Sequence, residues 1–250
     1  MSGGRRYIRA PRLERKHHYE FSTGAVLCDA GHDADRGCCG DCPFAVYMVV
    51  TLDREDTAHA FIYSSTDGEW KDMDSTHSTA TLIKEGPGLL LGSVLYWTLV
   101  VGSILALDFN KHVFYEIEQP PNAAYEYEDN VQVMETEGGV LSLTAITICS
   151  LKFEFHLWSR RDDGGLVGEW VLQRAVYLDE LIPTGPPPMA YDLPVILGAD
   201  GSVVFVRKED GIFQVYLETS QFKRLCDSNN IHNIYPYKSL FLLEAKAPKP

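Results

Sequence analysis

Positive charge is scarce in this chain of 250 residues: 22 Lys and Arg stand against 35 Asp and Glu, for a net charge of −13. So acidic a body repels phosphate backbones, which argues against nucleic acid as the main ligand. The charge is uneven: in the first twenty residues Arg5, Arg6, Arg9, Arg12, Arg15 and Lys16 face only Glu14 and Glu20, so nearly all of the net negative charge lies downstream. A run that short reads as a solvated tail. It is not followed by the apolar core of a secretory signal, and the chain has no Asn-x-Ser/Thr sequon. The expected location is therefore cytoplasmic or nuclear. On the same ground the six cysteines, Cys28, Cys38, Cys39, Cys42, Cys149 and Cys226, read as reduced thiols rather than a disulfide frame. Other signatures are missing too. There is no Gly-x-Ser-x-Gly elbow for a hydrolase nucleophile. Gly86-Pro-Gly-Leu-Leu-Leu-Gly92 lacks the Lys-Ser/Thr ending of a phosphate loop and reads as a turn entering a buried strand. The uncharged window from Gly86 to Leu107 is long enough to span a membrane. Gly92, Ser93, Gly102 and Ser103 interrupt it at turn positions, and one flank carries no positive charge. No membrane partner is expected.

What is present is a repeated β grammar in a composition rich enough to fold, 45% hydrophobic and 11% aromatic. The clearest copy runs from Gly92 to Phe114: two apolar runs of strand length split by Gly102-Ser103, then the turn Asp108-Phe-Asn-Lys111, then an aromatic. Three relatives share the form of strand, turn, strand, polar turn and aromatic-led strand. They are Phe44–Thr51, Ala58–Tyr63 and Trp70; Gly139–Thr144, Phe153–Trp158 and Trp170; and Gly201–Val206, Gly211–Val215 and Phe222. The leading aromatics Trp70, Phe114, Trp170 and Phe222 are 44, 56 and 52 residues apart, near the period of about 40 to 50 of propeller blades. Ile104–Leu107 and Val203–Val206 are apolar at successive positions, as strands stacked between two sheets require, whereas a β-sandwich would alternate. The expected fold is all-β, a kelch-like β-propeller of about four blades. Residues 1–41 read as a polar leader with a Cys/Gly/Asp-rich loop, 42–244 as the propeller domain, and 245–250 as a tail. Val176–Leu181 reads as one helical turn ahead of the proline run that starts at Pro183.

With the repeats placed, the chain resembles the F-box-associated β-propeller proteins of grasses. The resemblance rests on Ile62-Tyr-Ser-Ser-Thr-Asp-Gly-Glu-Trp70, Leu91-Gly-Ser-Val-Leu-Tyr-Trp97, Ile104-Leu-Ala-Leu-Asp-Phe109, Glu169-Trp-Val-Leu-Gln173, Gln221-Phe-Lys-Arg-Leu225 and Tyr235-Pro-Tyr237. It implies a protein-binding module akin to the substrate-recognition subunit of an SCF-type ubiquitin ligase. In such a subunit a helical F-box docks on the Skp adaptor while the propeller holds the substrate protein. Here the leader is too polar to form an F-box, which makes the Skp adaptor a doubtful partner. The four units leave open a complete ring or an incomplete one.

Candidate sites for chemistry are few. Cys39-Gly-Asp-Cys42 has zinc-ligand spacing, and Cys28, His32 and Cys38 could complete a site, but a second Cys-x-x-Cys or His-x-x-x-His half is missing. A zinc-stabilised binding protein is therefore one alternative, and a propeller-fold hydrolase using paired carboxylates is another. His59, His112 and His156 fall in or beside strands and read as structural. Trp70 and Trp170 read as core between blades, with Trp97 and Trp158 as further aromatic candidates for a partner contact. The binding surface is expected in loops, including Arg160–Gly165 and Tyr125–Asp129. No enzymatic activity, cofactor, catalytic residue or metal ligand is assigned.

Overall fold

The structure, a computed structural model, describes residues 7–11, 19–28, 42–52, 55–78, 83–84, 86, 88–100, 102–121, 123, 130–149, 152–162, 168–182, 194–227 and 230–235. The chain divides into two compact units, Met1–Thr79 and Ala80–Pro250.

The first unit holds one antiparallel sheet of four strands: β1 (Tyr19–Cys28), β2 (Phe44–Leu52), β3 (Glu55–Ser64) and β4 (Glu69–Ser78), side by side in chain order. The expected leader therefore contains a strand of this sheet. Leu27 pairs with Ala45 and Thr23 with Val49, and Gly24 is required because a Cβ there would run into the Tyr47 carbonyl. Val49, Val50, Ala58 and Ala60 are fully buried.

The second unit holds three such sheets. The first comprises β5 (Leu89–Leu91), β6 (Val94–Thr98), β7 (Ser103–Asp108) and β8 (Val113–Glu118). The next comprises β9 (Val131–Thr136), β10 (Val140–Cys149), β11 (Lys152–Asp162) and β12 (Gly168–Tyr177). The expected helical turn follows as α1 (Leu178–Leu181), ended by the extended backbone of Ile182. The last sheet is β13 (Val195–Asp200), β14 (Val203–Lys208), β15 (Gly211–Tyr216) and β16 (Gln221–Cys226). Every sheet is a meander of neighbouring antiparallel strands, so three strands of each match the repeat and one further strand precedes them.

Within this unit the sheets stack through their leading strands, β9 against β5 and β6, and β13 against β9 and β10. Ile104, Ala106 and Ile117 meet Val131, Val133, Leu143 and Trp158 in one core. Met134, Ile146 and Phe155 meet Val204, Val206, Phe213 and the α1 residues Leu178 and Leu181 in another. Each of the Val, Leu, Ile, Phe and Met side chains among them contributes about 1.5–3 kcal/mol through burial. All of β7 is buried, as its unbroken apolar run requires. Strand β14 departs from that expectation. Val204 and Val206 are buried while Val203 and Phe205 are partly open, so only one face of this strand is sealed.

Candidate protein-interaction surface

The aromatic that opens each outer strand sits directly across from the end of the strand before it. Trp70 pairs with Tyr63, Phe114 with Leu107 and Phe222 with Val215, each seven residues on. That spacing is the length of a hairpin turn measured between cross-strand neighbours. Trp170 pairs with Arg160 across a longer loop.

The turns are closed by hydrogen bonds within them and to the neighbouring strand. In the first sheet, Ser65 Oγ accepts from the Phe44 amide at 2.7 Å and Gly68 N donates to Ser64 O at 2.8 Å. In the second, Asp108 Oδ1 accepts from the amides of Asn110 and Lys111, each at 3.1 Å. Lys111 Nζ lies 2.9 Å from Asp108 Oδ2. Burial by itself raises the Asp108 carboxyl pKa. The Lys111 side-chain and backbone bonds, the Lys111 charge and the Asn110 amide outweigh it, and the carboxyl ends below the usual carboxylate range. Two residues before the aromatic the backbone turns left-handed, at Gly68 (φ 72°), His112 (φ 56°) and Ser220 (φ 56°).

Trp170 and Trp70 each close a contact with the indole N–H group. Trp170 Nε1 donates to Glu118 O at 2.8 Å, tying β12 to the end of β8, and the half-buried ring packs on the core between those sheets. Here the expectation of a core tryptophan between blades is met. Trp70 Nε1 donates to Arg9 O at 2.6 Å, and its ring lies 5.5 Å from Tyr63. Beside it a groove of about 860 Å³ opens between residues 7–11 and a wall of Phe61, Tyr63, Trp70, Glu69 and Asp72. Trp97 and Trp158 are 1% and 5% exposed, which removes both from any partner surface.

Other candidate positions resolve differently. Arg160 is buried inside β11 rather than displayed on a loop; the rest of that expected loop from residue 163 and the stretch Tyr125–Asp129 lie outside the described residues. Cys42 is disulfide-bonded, which corrects the expectation of reduced thiols there. His32, Cys38 and Cys39 lie outside the described residues, and among the described ones no group of three or more His, Cys, Asp and Glu is placed to hold a metal. His59 approaches Thr57 Oγ1 at 3.2 Å, and His156 Nε2 lies 3.0 Å from Glu154 Oε2. No helix among the described residues is long and apolar enough to cross a membrane. The Arg9 contact escaped the sequence reading because its partner is 61 residues away. Its signal was an Ile-x-x-Pro repeated in the segments ahead of the two clamping tryptophans.

Consecutive four-stranded antiparallel meanders, stacked in the second unit through their leading strands, define an all-β protein of the β-propeller class. The family model described as F-box protein AT5G49610-like, beta-propeller, matches residues 10–240, and the chain belongs to that family. No curated protein matches the chain.

Proposed function

We propose that the chain is a protein-binding module that acts as the substrate-recognition propeller of an SCF-type ubiquitin ligase, without catalysis or a cofactor of its own, in the cytoplasm or nucleus. The observation that carries this reading is membership of an F-box-protein propeller family over residues 10–240. The physical argument agrees with it. Sheets sealed by fully buried strands such as β7 give a rigid frame, and turns and connecting segments can vary on such a frame without cost to the core.

The test has two arms. In the first, the Skp adaptor is co-purified with this chain and with the chain joined to an F-box. The reading expects the joined form to carry the adaptor and to transfer ubiquitin to proteins retained by the propeller in a reconstituted ligase. The second arm asks whether the propeller alone retains those same proteins. Retention without any ubiquitin transfer by the joined form would refute the ligase role and leave a binding module. Absence of retention refutes both.

A further inference from the structure

Two sheets hold the same four-residue pattern against an indole. Trp170 donates to the carbonyl of Glu118, and Trp70 donates to the carbonyl of Arg9. The residue before each acceptor is isoleucine, Ile117 and Ile8, and two residues after it stands a buried proline, Pro120 and Pro11. Ile-Glu-Gln-Pro and Ile-Arg-Ala-Pro therefore meet tryptophan in one way. The indole N–H takes the second residue's carbonyl, and the proline, which has no amide donor to leave unsatisfied, is packed away beside it.

The two sites differ in how completely they are filled. At Trp170 the segment is the end of β8, Ile117 is 7% exposed, and Tyr115 and Trp158 belong to the same core. At Trp70 the place is held by a few residues only. Tyr7 is 89% exposed, Arg9 and Ala10 are exposed, Pro11 alone is buried, and the groove of about 860 Å³ stays open alongside. With three of its five residues exposed, the segment covers little of the aromatic wall. Glu69 on that wall favours a basic residue in the bound segment, as Arg9 is in the resident one.

We propose that the Trp70 groove is a docking site for a partner protein's Ile-x-x-Pro segment with a basic residue after the isoleucine, and that residues 7–11 hold the groove until such a segment replaces them. This rests on the reading of the chain as a protein-binding module.

The probe is a fluorescein-labelled peptide copying residues 7–13, titrated into the full chain and into the full chain carrying Ile8→Asp and Pro11→Ala, which frees the groove. Saturable binding is expected for both, tighter for the double variant because no resident segment competes. Adding Trp70→Phe should weaken binding about five- to tenfold, the loss of one hydrogen bond, while Trp170→Phe should leave it unchanged. A peptide with proline replaced by alanine should bind more weakly. Absence of saturable binding, or binding indifferent to Trp70→Phe, overturns the proposal. Should the double variant fail to fold, the wild-type chain is titrated while the indole N–H resonances are followed. A shift of Trp70 with Trp170 unmoved supports the site, and no shift overturns it. If proteins retained by the propeller are still retained by the Trp70→Phe chain and the peptide does not bind, the docking site falls and the protein-binding reading stands.

Discussion

Asp108 offers a way to weigh a turn against a sheet. It closes β7, is itself buried, and accepts two backbone amides while facing the Lys111 ammonium. Replacing it with alanine leaves two amides without their acceptor and deletes a charge. Hydrogen bonds to a charged group are worth about 1.5–3 kcal/mol net, so Asp108→Ala should cost about 2–3 kcal/mol at pH 7. Asp108→Asn keeps an oxygen for the amides and removes only the charge, and should cost about 1 kcal/mol. The difference depends on pH with a definite sign. The folded carboxyl titrates below its unfolded value, which is about 3.9. Its contribution is therefore fully present above that value and is lost as the pH falls through the folded one. Urea unfolding of wild type and Asp108→Asn, stepped from pH 7 to 3.5, should give a constant gap down to about pH 5 that closes below about pH 4. A gap that ignores pH, or an alanine variant no weaker than the asparagine one, would refute the account.

Three further outcomes follow from single positions. His112 sits at φ 56° where the first sheet uses Gly68, so His112→Gly should raise the melting temperature, with a gain of about 1 kcal/mol. A Cβ on Gly198 would run into the Ile234 carbonyl, beside the 2.8 Å bond from Ile234 N to Leu197 O; Gly198→Ala should cost about 1–3 kcal/mol and speed amide exchange at Ile234. Ile104 is fully buried in the core shared by the second and third sheets, and Ile104→Ala should lower stability by about 2–5 kcal/mol, read from the urea midpoint.

Three strands of each sheet could be read from sequence because, in three of the four sheets, a hairpin turn fixes the distance between an aromatic and its cross-strand neighbour. The leading strands were hidden by chemistry that sequence patterns do not price. Gln132 stands in a buried stretch of β9, where its amide donates to Val133 O at 3.3 Å, and so breaks the apolar run. In β13 a bulge between Ile196 and Gly198 breaks the period of two. In β1, Val26 is 67% exposed, so this apolar residue does not mark a buried face. The left-handed position of His112 was concealed for a simpler reason. Only comparison with Gly68, at the same distance before its aromatic, gives it away. The Cys42 disulfide went unforeseen because the absence of a secretory signal speaks to compartment and not to proximity.

Strand β12 is bonded on both sides. Through Trp170 it holds the end of β8, and through Arg174 it bonds Leu217 O and Ser220 Oγ in the turn that leads into β16. Outer strands of a meander are normally the first to fray, since they have a neighbour on one side only. Here the outer strand of the middle sheet cannot lift without releasing both neighbours. Its opening is thereby coupled to theirs. Strand β16 is exposed at every position from Gln221 to Leu225. Under load or heat the second unit should come apart from its last sheet backwards, with β12 acting as the latch that makes the remaining two sheets yield together.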